Sequence, residues 1–567
     1  MTVFAIIKAN YALKCSCKQT LKVSVYYEKI FRFIASPVFL ASLLFLALQL
    51  PVFNLGLSYR DEGFFSYSAV RINNGEIPYR DFFLTTTPGT YYLNAFLFKL
   101  FGNQLIIGRL LYLLICLATI VLANNIFNLK KASNYWYLFS LSAALVWPGG
   151  FAYYNPEALF SILIGLFFLK KGLNQKNYLF FVLTGLATAT GFFFKQTIGA
   201  FSGLSFLLII LLYSDKKGLK KTAVFLFSFA LPVFCYLVYL FFNQALAPFF
   251  YYTTSFAGTV KAHRLPFLIQ RLVFIPFLLL FFKKLFNLEI KTKKKVSLIF
   301  LTAFCLFFVY LVLLPSRLNA LIDHLADPLF YFYSLVFFFP IMLLAFPFKN
   351  TAQNKDLKIY SIISLGFFLA LGSSGYEIGA IKTLTVFIVP LLLLSKIIIQ
   401  PVSFLLIVIY TSFVFTNPFS GQTKIFGVYP KNKQTETLSL PETKYLKISP
   451  EEKRELTEIV SYVKRNSLVS DKIVCFPYCP MLFVLTQRNN VSFFNLFYFE
   501  TFLAKDQTRV IGELKTKKLA LILIQKKGYI ENEADFEDFR LNSLKVFLFQ
   551  NTEKVLENNN FIVLSVN

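Results

Sequence analysis

Apolar stretches long enough, or nearly long enough, to cross a bilayer recur at about 33–53, 104–127, 135–149, 156–170, 178–194, 197–213, 222–243, 266–282, 296–314, 329–346, 359–373, 380–395 and 399–416, with short lysine clusters between them. Lipid offers the backbone no hydrogen-bonding partner, so such segments must satisfy their own amides, which helices do. The chain therefore reads as a polytopic α-helical membrane protein of about 13 spans. A composition that is 56% hydrophobic, with 72 phenylalanines and a mean hydropathy of +0.60, excludes an ordinary soluble globular fold. The net charge of +28 would suit a nucleic-acid binder, but the lysines sit at the ends of apolar runs instead of forming a basic stripe, which argues against that class.

Charge also sets the topology. Thr90–Phe101 is apolar but only about a dozen residues long, which suits an interfacial or re-entrant helix better than a span. If it does not cross, Lys130-Lys131, Lys170-Lys171, the Lys216–Lys221 cluster, Lys283-Lys284 with Lys293–Lys295, and Lys349, Lys355 and Lys358 all fall on the cytoplasmic side with the basic residues 1–32. Those first residues show no small-residue cleavage signature, so the first span is expected to be retained. The outer loops are then 54–103, 149–156, the Lys195-Gln196 hinge, 244–265, 315–328 and 374–382. Asp61, Glu62, Asp81, Glu157, Lys195, His263, Arg264, Asp323, His324, Asp327, Glu377 and Lys382 all reach one surface. A transporter would bury such groups near the midplane on broken helices. Their collection at one interface favours an enzyme acting on a lipid-borne substrate, within a transmembrane catalytic domain of residues 33–416.

From about residue 417 the composition turns mixed and polar. Pro450–Val463 has the pattern of an amphipathic helix, with Ser449 as its N-cap, and 472–476, 518–524 and 560–564 are strand-like. Residues 417–567 are expected to form a small α/β domain, placed outside by the odd number of spans. The seven cysteines have no zinc-ligand spacing; Cys475 and Cys479 are either a disulfide or two buried thiols.

The outer loop carries the most specific pattern: Arg60-Asp-Glu-Gly-Phe-Phe, Pro78-Tyr-Arg-Asp-Phe-Phe83, Pro88-Gly-Thr-Tyr-Tyr, Leu100-Phe-Gly102 and Arg109-Leu110. It resembles the first outer loop of C-type (GT-C fold) membrane glycosyltransferases, within the branch of the protein O-mannosyltransferases and the aminoarabinose transferase of lipid A. The resemblance is strong over about residues 55–110, unspecific over the remaining spans and slight in the C-terminal domain. It implies inverting transfer of a sugar from a polyprenyl-phosphate donor to a lipid, glycan or protein acceptor, at the outer face of the cytoplasmic (inner) membrane. It implies Asp61 as general base, with Glu62 and Asp81 orienting the acceptor or holding a divalent ion, Mg or Mn, although not every enzyme it resembles needs one.

Candidate substrate contacts are Arg80, Arg109, Lys195 with Gln196, and Lys382 for the phosphate, together with Glu157, His263 and Arg264. Plainer roles stand beside these. Asp61 could clamp against Arg60 or Arg80, Asp81 and Glu157 could cap helices, and cations at span ends could reach only for headgroups. The segment Gly375–Pro390 departs from the family by lacking its usual aromatic-cation pair, and Lys382 is the candidate substitute. Two other functions fit a many-spanned basic chain: a flippase or polymerase of lipid-linked glycans, and a non-catalytic assembly partner in the membrane.

Overall fold

The structure is a computed structural model that describes residues 34, 36–256, 352–372 and 434–566, apart from short stretches at 128–134, 147–149, 176, 215–216, 498–503, 518 and 527–541. The expected spans at 266–282, 296–314, 329–346, 380–395 and 399–416 lie outside the described residues. So do His263, Arg264 and Lys382.

Helix α1, Pro37–Gln49, starts at Ser36, whose hydroxyl accepts the Phe39 N–H at 3.2 Å, and has proline in its first turn. Helix α2, Asp61–Asn73, carries Asp61 and Glu62 in its first turn, where the helix dipole favours negative charge. Helix α3, Gly89–Phe101, ends at Gly102, whose φ of +83° suits glycine. Thirteen residues of helix reach only about 20 Å, short of a bilayer core of about 30 Å. Phe96, Leu100 and Phe101 are exposed on this helix, as an interfacial element requires.

The bundle continues with α4 (Leu105–Phe127), α5 (Tyr135–Ala144), α6 (Tyr154–Gln175), α7 (Tyr178–Phe194), α8 (Gln196–Tyr213), α9 (Gly218–Phe242) and the short α10 (Leu246–Phe250), then α11 (Ala352–Gly372). Among the described residues α4, α8 and α9 are both long and apolar enough to cross a membrane. Phe227, Phe234, Phe241 and Phe242 are exposed on α9, as on a surface that meets lipid. Phe45, Ile162, Phe206 and Ile363 belong to the shared core inside the bundle. Away from the acidic loop, Lys170 in α6 donates to the Ile126 carbonyl at 2.8 Å and the Tyr360 hydroxyl at 2.6 Å, joining α6 to α4 and α11.

The C-terminal part holds a five-stranded sheet in the order β2-β1-β3-β5-β4: β1 Lys472–Phe476, β2 Asn489–Asn490, β3 Leu519–Gln525, β4 Thr552–Glu557 and β5 Phe561–Val566. β1 runs parallel to β2 and β3, while β5 is antiparallel to both β3 and β4. Alternation along the strands feeds two cores. Ile473, Cys475, Leu521, Leu523 and Val563 pack with Leu456, Ile459 and Val463 of α12, Pro450–Asn466, whose Ser449 cap accepts the Glu452 N–H at 3.0 Å. Val474, Phe476, Ile522, Ile524 and Leu564 pack with Val510 and Leu514 of α14, Ala504–Thr516, and with Leu544 and Leu548 of α15, Asn542–Gln550. Between them lies α13, Met481–Thr486. Cys475 and Cys479 are joined as a disulfide, with Cα atoms 5.8 Å apart.

Neither core is made by the C-terminal residues alone. Leu57, Tyr59, Tyr67, Leu105 and Ile106 belong to the first, and Phe83 belongs to the second. Tyr67 stacks on Phe483 with ring centroids 4.6 Å apart. A Cβ added at Gly63 would come within 2.8 Å of the Met481 Cα, so the α2–α13 contact demands glycine there. Backbone pairing adds Gly56 N–H to the Lys447 carbonyl and Lys447 N–H to the Asn54 carbonyl, both at 2.8 Å. The loop 54–103 and the sheet therefore share their cores.

Glu452 on α12 sits in this seam, accepting the Tyr59 hydroxyl at 2.5 Å. Burial pushes its carboxyl up to about 7, against lowering contributions from the Tyr59 hydroxyl and the Ser449 backbone, and Glu455 adds to the rise. The folded value lies above the ordinary 4.5, so folding takes up a proton; the stabilising contribution is full below that ordinary value and is lost as pH rises through about 7. Wild-type protein is expected to lose on the order of 3 kcal/mol of stability between about pH 5 and about pH 8 from this group, and Glu452→Gln is expected not to. Thermal melting in detergent across that range checks this, and equal slopes for the two proteins would refute it.

Candidate active site

Adjacent positions on a helix point about 100° apart, so Asp61 and Glu62 cannot share one environment. Glu62 turns inward and is 2% exposed. Its two oxygens accept Nε and Nη2 of Arg109, each at 2.8 Å, in a bidentate pair. Arg109, itself 1% exposed, also donates Nη1 to the carbonyls of Phe53 and Leu55 at 3.2 and 3.0 Å, and Nη2 to that of Gly56 at 2.6 Å. All five of its N–H groups are thus engaged within the protein. Glu62 and Arg109 together fasten the chain leaving α1, the start of α2 and the head of α4.

Asp61 faces the rim, with its side chain 34% exposed. Its N–H donates to Ser58 Oγ at 3.2 Å, and its carboxylate accepts Arg60 Nε and Nη2 at 3.0 and 3.2 Å. A carboxylate has about four lone-pair sites, so this pair leaves acceptor capacity on the exposed side. Tyr154, at the head of α6, lies within electrostatic reach of Asp61 and Arg60. The Lys195 ammonium stands 4.8 Å from the centre of the Tyr154 ring. Lys195 itself is extended, at φ −149° and ψ 112°, in the break between α7 and α8. The fold thus gathers Asp61, Arg60, Tyr154 and Lys195 from loop, helix and hinge.

Asp81 stands on a second, separately held turn. Its carboxylate accepts Arg80 Nε and Nη2 at 2.9 and 2.8 Å and the Ile77 N–H at 2.7 Å. Burial alone would raise its pKa, but the Arg80 guanidinium and the Ile77 N–H outweigh it and hold the carboxyl below its ordinary value. Arg80 is itself exposed. Gln196 works as a splice: Nε2 donates to the Thr85 carbonyl at 3.2 Å and the Thr253 carbonyl at 3.4 Å, while Oε1 accepts the Thr87 N–H at 3.2 Å. It ties the turn after Asp81 to the Lys195 hinge. Glu157 lies one turn into α6, 2% exposed, and among the described residues neither carboxyl oxygen has a hydrogen-bond partner.

The carboxylates that could take Mg or Mn each carry an arginine: Arg60 on Asp61, Arg109 on Glu62 and Arg80 on Asp81. Among the described residues no three His, Cys, Asp or Glu side chains are grouped to hold a metal ion. These residues as arranged do not fit a carboxylate cage for a divalent ion.

Sequence reasoning missed three residues here. Tyr154 was hidden in the aromatic run Tyr153-Tyr-Asn-Pro, Arg71 is a lone cation ending the otherwise uncharged stretch 63–70, and Asn495 is a single amide inside the aromatic run 493–499. Only Arg71 carried a signal, since a single charge amid apolar and small residues on a helix has to find a partner.

Removing one member of a buried ion pair strands the other. Arg109→Met is expected to cost on the order of 3–5 kcal/mol, and Arg109→Met combined with Glu62→Met to recover much of that loss. Melting temperatures and monodisperse yield in detergent check this; an Arg109→Met protein as stable as wild type would show that the pair does not hold the loop. In comparisons with known proteins, no protein-family profile and no curated protein sequence matches the chain. Among solved structures, a crystal structure of ArnT from Cupriavidus metallidurans bound to undecaprenyl phosphate is similar, with 14% sequence identity and a TM-score of 0.44 over 92% of this chain and 97% of that one.

Proposed function

We propose that the chain is an inverting glycosyltransferase that moves a sugar from a polyprenyl-phosphate donor to an acceptor hydroxyl at the outer face of the membrane, with Asp61 as general base. One contrast supports this most. Of two adjacent acids, Glu62 is sealed in a buried pair, whereas Asp61 keeps a partly exposed carboxylate within electrostatic reach of Tyr154, on whose ring the Lys195 ammonium sits. A base needs lone pairs that a substrate can reach, and of the two only Asp61 presents its carboxylate to the outside.

In the proposed step, the acceptor oxygen forms a bond to the anomeric carbon and its proton passes to Asp61. The bond from that carbon to the phosphate oxygen breaks, and its electron pair stays on the phosphate. Attack opposite the leaving group inverts the centre. The Lys195 ammonium, seated on Tyr154, answers the charge that grows on the leaving phosphate, and the exposed Arg80 beside Asp81 is the second candidate. Asp81 and the carboxyl of Glu157, without a hydrogen-bond partner among the described residues, supply acceptor-side hydrogen bonds. Glu62, Arg109 and Gln196 position these groups without touching substrate. Every step uses the chain's own side chains.

Purified protein given a panel of polyprenyl-phosphate sugars and membrane acceptors is expected to release free polyprenyl phosphate. Asp61→Asn is expected to lower that rate by about 10²- to 10⁴-fold while donor binding persists. A flippase would still translocate its carrier after this substitution, and an assembly partner would keep full biological function. Either result, with no release by wild type, would overturn the reading.

Lys195→Met is expected to act differently, weakening donor binding by roughly tenfold through loss of a charge-assisted contact to phosphate. Titration of donor analogues checks this, and unchanged donor affinity would remove Lys195 from the phosphate site.

A further inference from the structure

The buried Arg71 has a set of partners that the proposed reaction does not use. Its Nε donates to Glu76 Oε2 at 2.8 Å and its Nη2 to the main-chain carbonyl of Asp81 at 3.0 Å. Its Nη1 crosses to the C-terminal domain, donating to the Ser492 carbonyl at 3.0 Å and to Asn495 Oδ1 at 2.7 Å. Asn495 is itself 1% exposed; it donates Nδ2 to Ser68 Oγ at 3.2 Å and accepts Asn490 Nδ2 at 3.3 Å. One guanidinium thus connects the backbone of Asp81 with a side chain more than 400 residues later in the chain.

The turn that bears Asp81 needs such support. Tyr79 has φ +68°, a region that non-glycine residues adopt only when their surroundings enforce it. The enforcing contacts are the Tyr79 N–H to the Phe82 carbonyl at 2.8 Å, the Tyr79 hydroxyl to the Thr86 carbonyl at 2.7 Å, and the Phe83 N–H to the Phe493 carbonyl at 3.0 Å. The last again comes from segment 491–497 of the C-terminal domain, which is buried throughout. That segment is anchored in turn by Glu513, whose Oε2 accepts Ser492 Oγ at 2.9 Å and the Phe493 N–H at 3.1 Å.

We infer that Asn495, acting through Arg71, is a positioning residue for Asp81, and that the C-terminal domain is a working part of the reaction site. Its functional consequence rests on the glycosyl-transfer reading, in which Asp81 orients the acceptor. Asn495→Leu removes the acceptor atom for Arg71. Asn495→Asp keeps an oxygen there, and the Ser68 hydroxyl can reverse to donate to the new carboxylate.

The geometric claim is tested by hydrogen exchange on full-length protein in detergent, which needs no substrate. Asn495→Leu is expected to speed exchange of the amides in 76–83 by about tenfold or more, with α4 and the strands β1 and β3 unchanged, while Asn495→Asp stays close to wild type. The kinetic arm expects Asn495→Leu to lower kcat and raise the acceptor KM with donor KM unchanged, and Asn495→Asp to restore both. Unchanged exchange in 76–83, or an Asn495→Asp protein as impaired as Asn495→Leu, overturns the inference. Where Asn495→Leu does not yield folded protein, Arg71→Lys reads the same link from its other end, since an ammonium cannot span Glu76, Asp81 and Asn495 together. If wild type transfers no sugar, the proposed function fails, and the exchange arm still decides the positioning claim.

Discussion

A guanidinium with five donors, sealed from water against one carboxylate and three carbonyls, is the constraint on which the acidic loop depends. Burying two charges costs several kcal/mol per ion unless geometry and further hydrogen bonds offset it. Arg109 and Glu62 meet that condition by a bidentate contact and by turning the spare N–H groups onto Phe53, Leu55 and Gly56. Those three carbonyls belong to the chain just after α1 and its following turn, where an irregular backbone would otherwise leave acceptors unsatisfied. The pair therefore fixes where the chain leaves the first apolar helix, and with it the angle at which α2 starts.

The second consequence is architectural. Residues 54–103 do not form a loop that a separate domain merely covers. Tyr59 and Tyr67 belong to one core of the C-terminal sheet and Phe83 to the other, so each face of the sheet is completed by residues 54–103. The amphipathic α12 and the strand alternation create apolar surfaces larger than the C-terminal residues close by themselves, and α2 supplies the missing side. Small polar contacts then set the register: the Met481 N–H on the Tyr59 carbonyl, and the Asn490 N–H on the Tyr67 hydroxyl. Because Tyr59 stands two residues before Asp61, the docking of the sheet reaches the candidate base directly.

Much of this was legible in the sequence, and the remainder failed for a physical reason. The apolar runs at 104–127, 178–194, 197–213 and 222–243 are occupied by helices, and the dozen residues at 90–101 form a helix too short to span. The Ser449 cap and the strands β1, β3 and β5 follow from local pattern, because capping and alternation are local effects. Helix α2 was not legible: Gly63, paired aromatics and alternating serines give no clear 3.6-residue stripe, and its shape depends on packing against α13. Cys475 and Cys479 could be named as the candidate pair, but the sequence leaves open whether they bond, since the bond depends on how the chain turns after β1. The arginines were visible as cations, yet nothing local says that Arg109 turns to Glu62, Arg80 to its neighbour Asp81, and Arg71 to Asn495.

That sorting of arginines is itself informative about the site. A surface built only for strength would bury its acids as fully as its partners allow, since an exposed pair contributes about 0–1 kcal/mol. Here the most costly pairing is reserved for Glu62, and its neighbour is left partly exposed with a weaker arginine contact, within electrostatic reach of the Tyr154 ring on which Lys195 sits. Leaving Asp61 half-exposed gains little stability. What it gains is a carboxylate whose direction is set by a rigid helix start, while its outer face can still meet a proton. Rigid support beneath and an unsatisfied acceptor above is the arrangement that general-base chemistry requires.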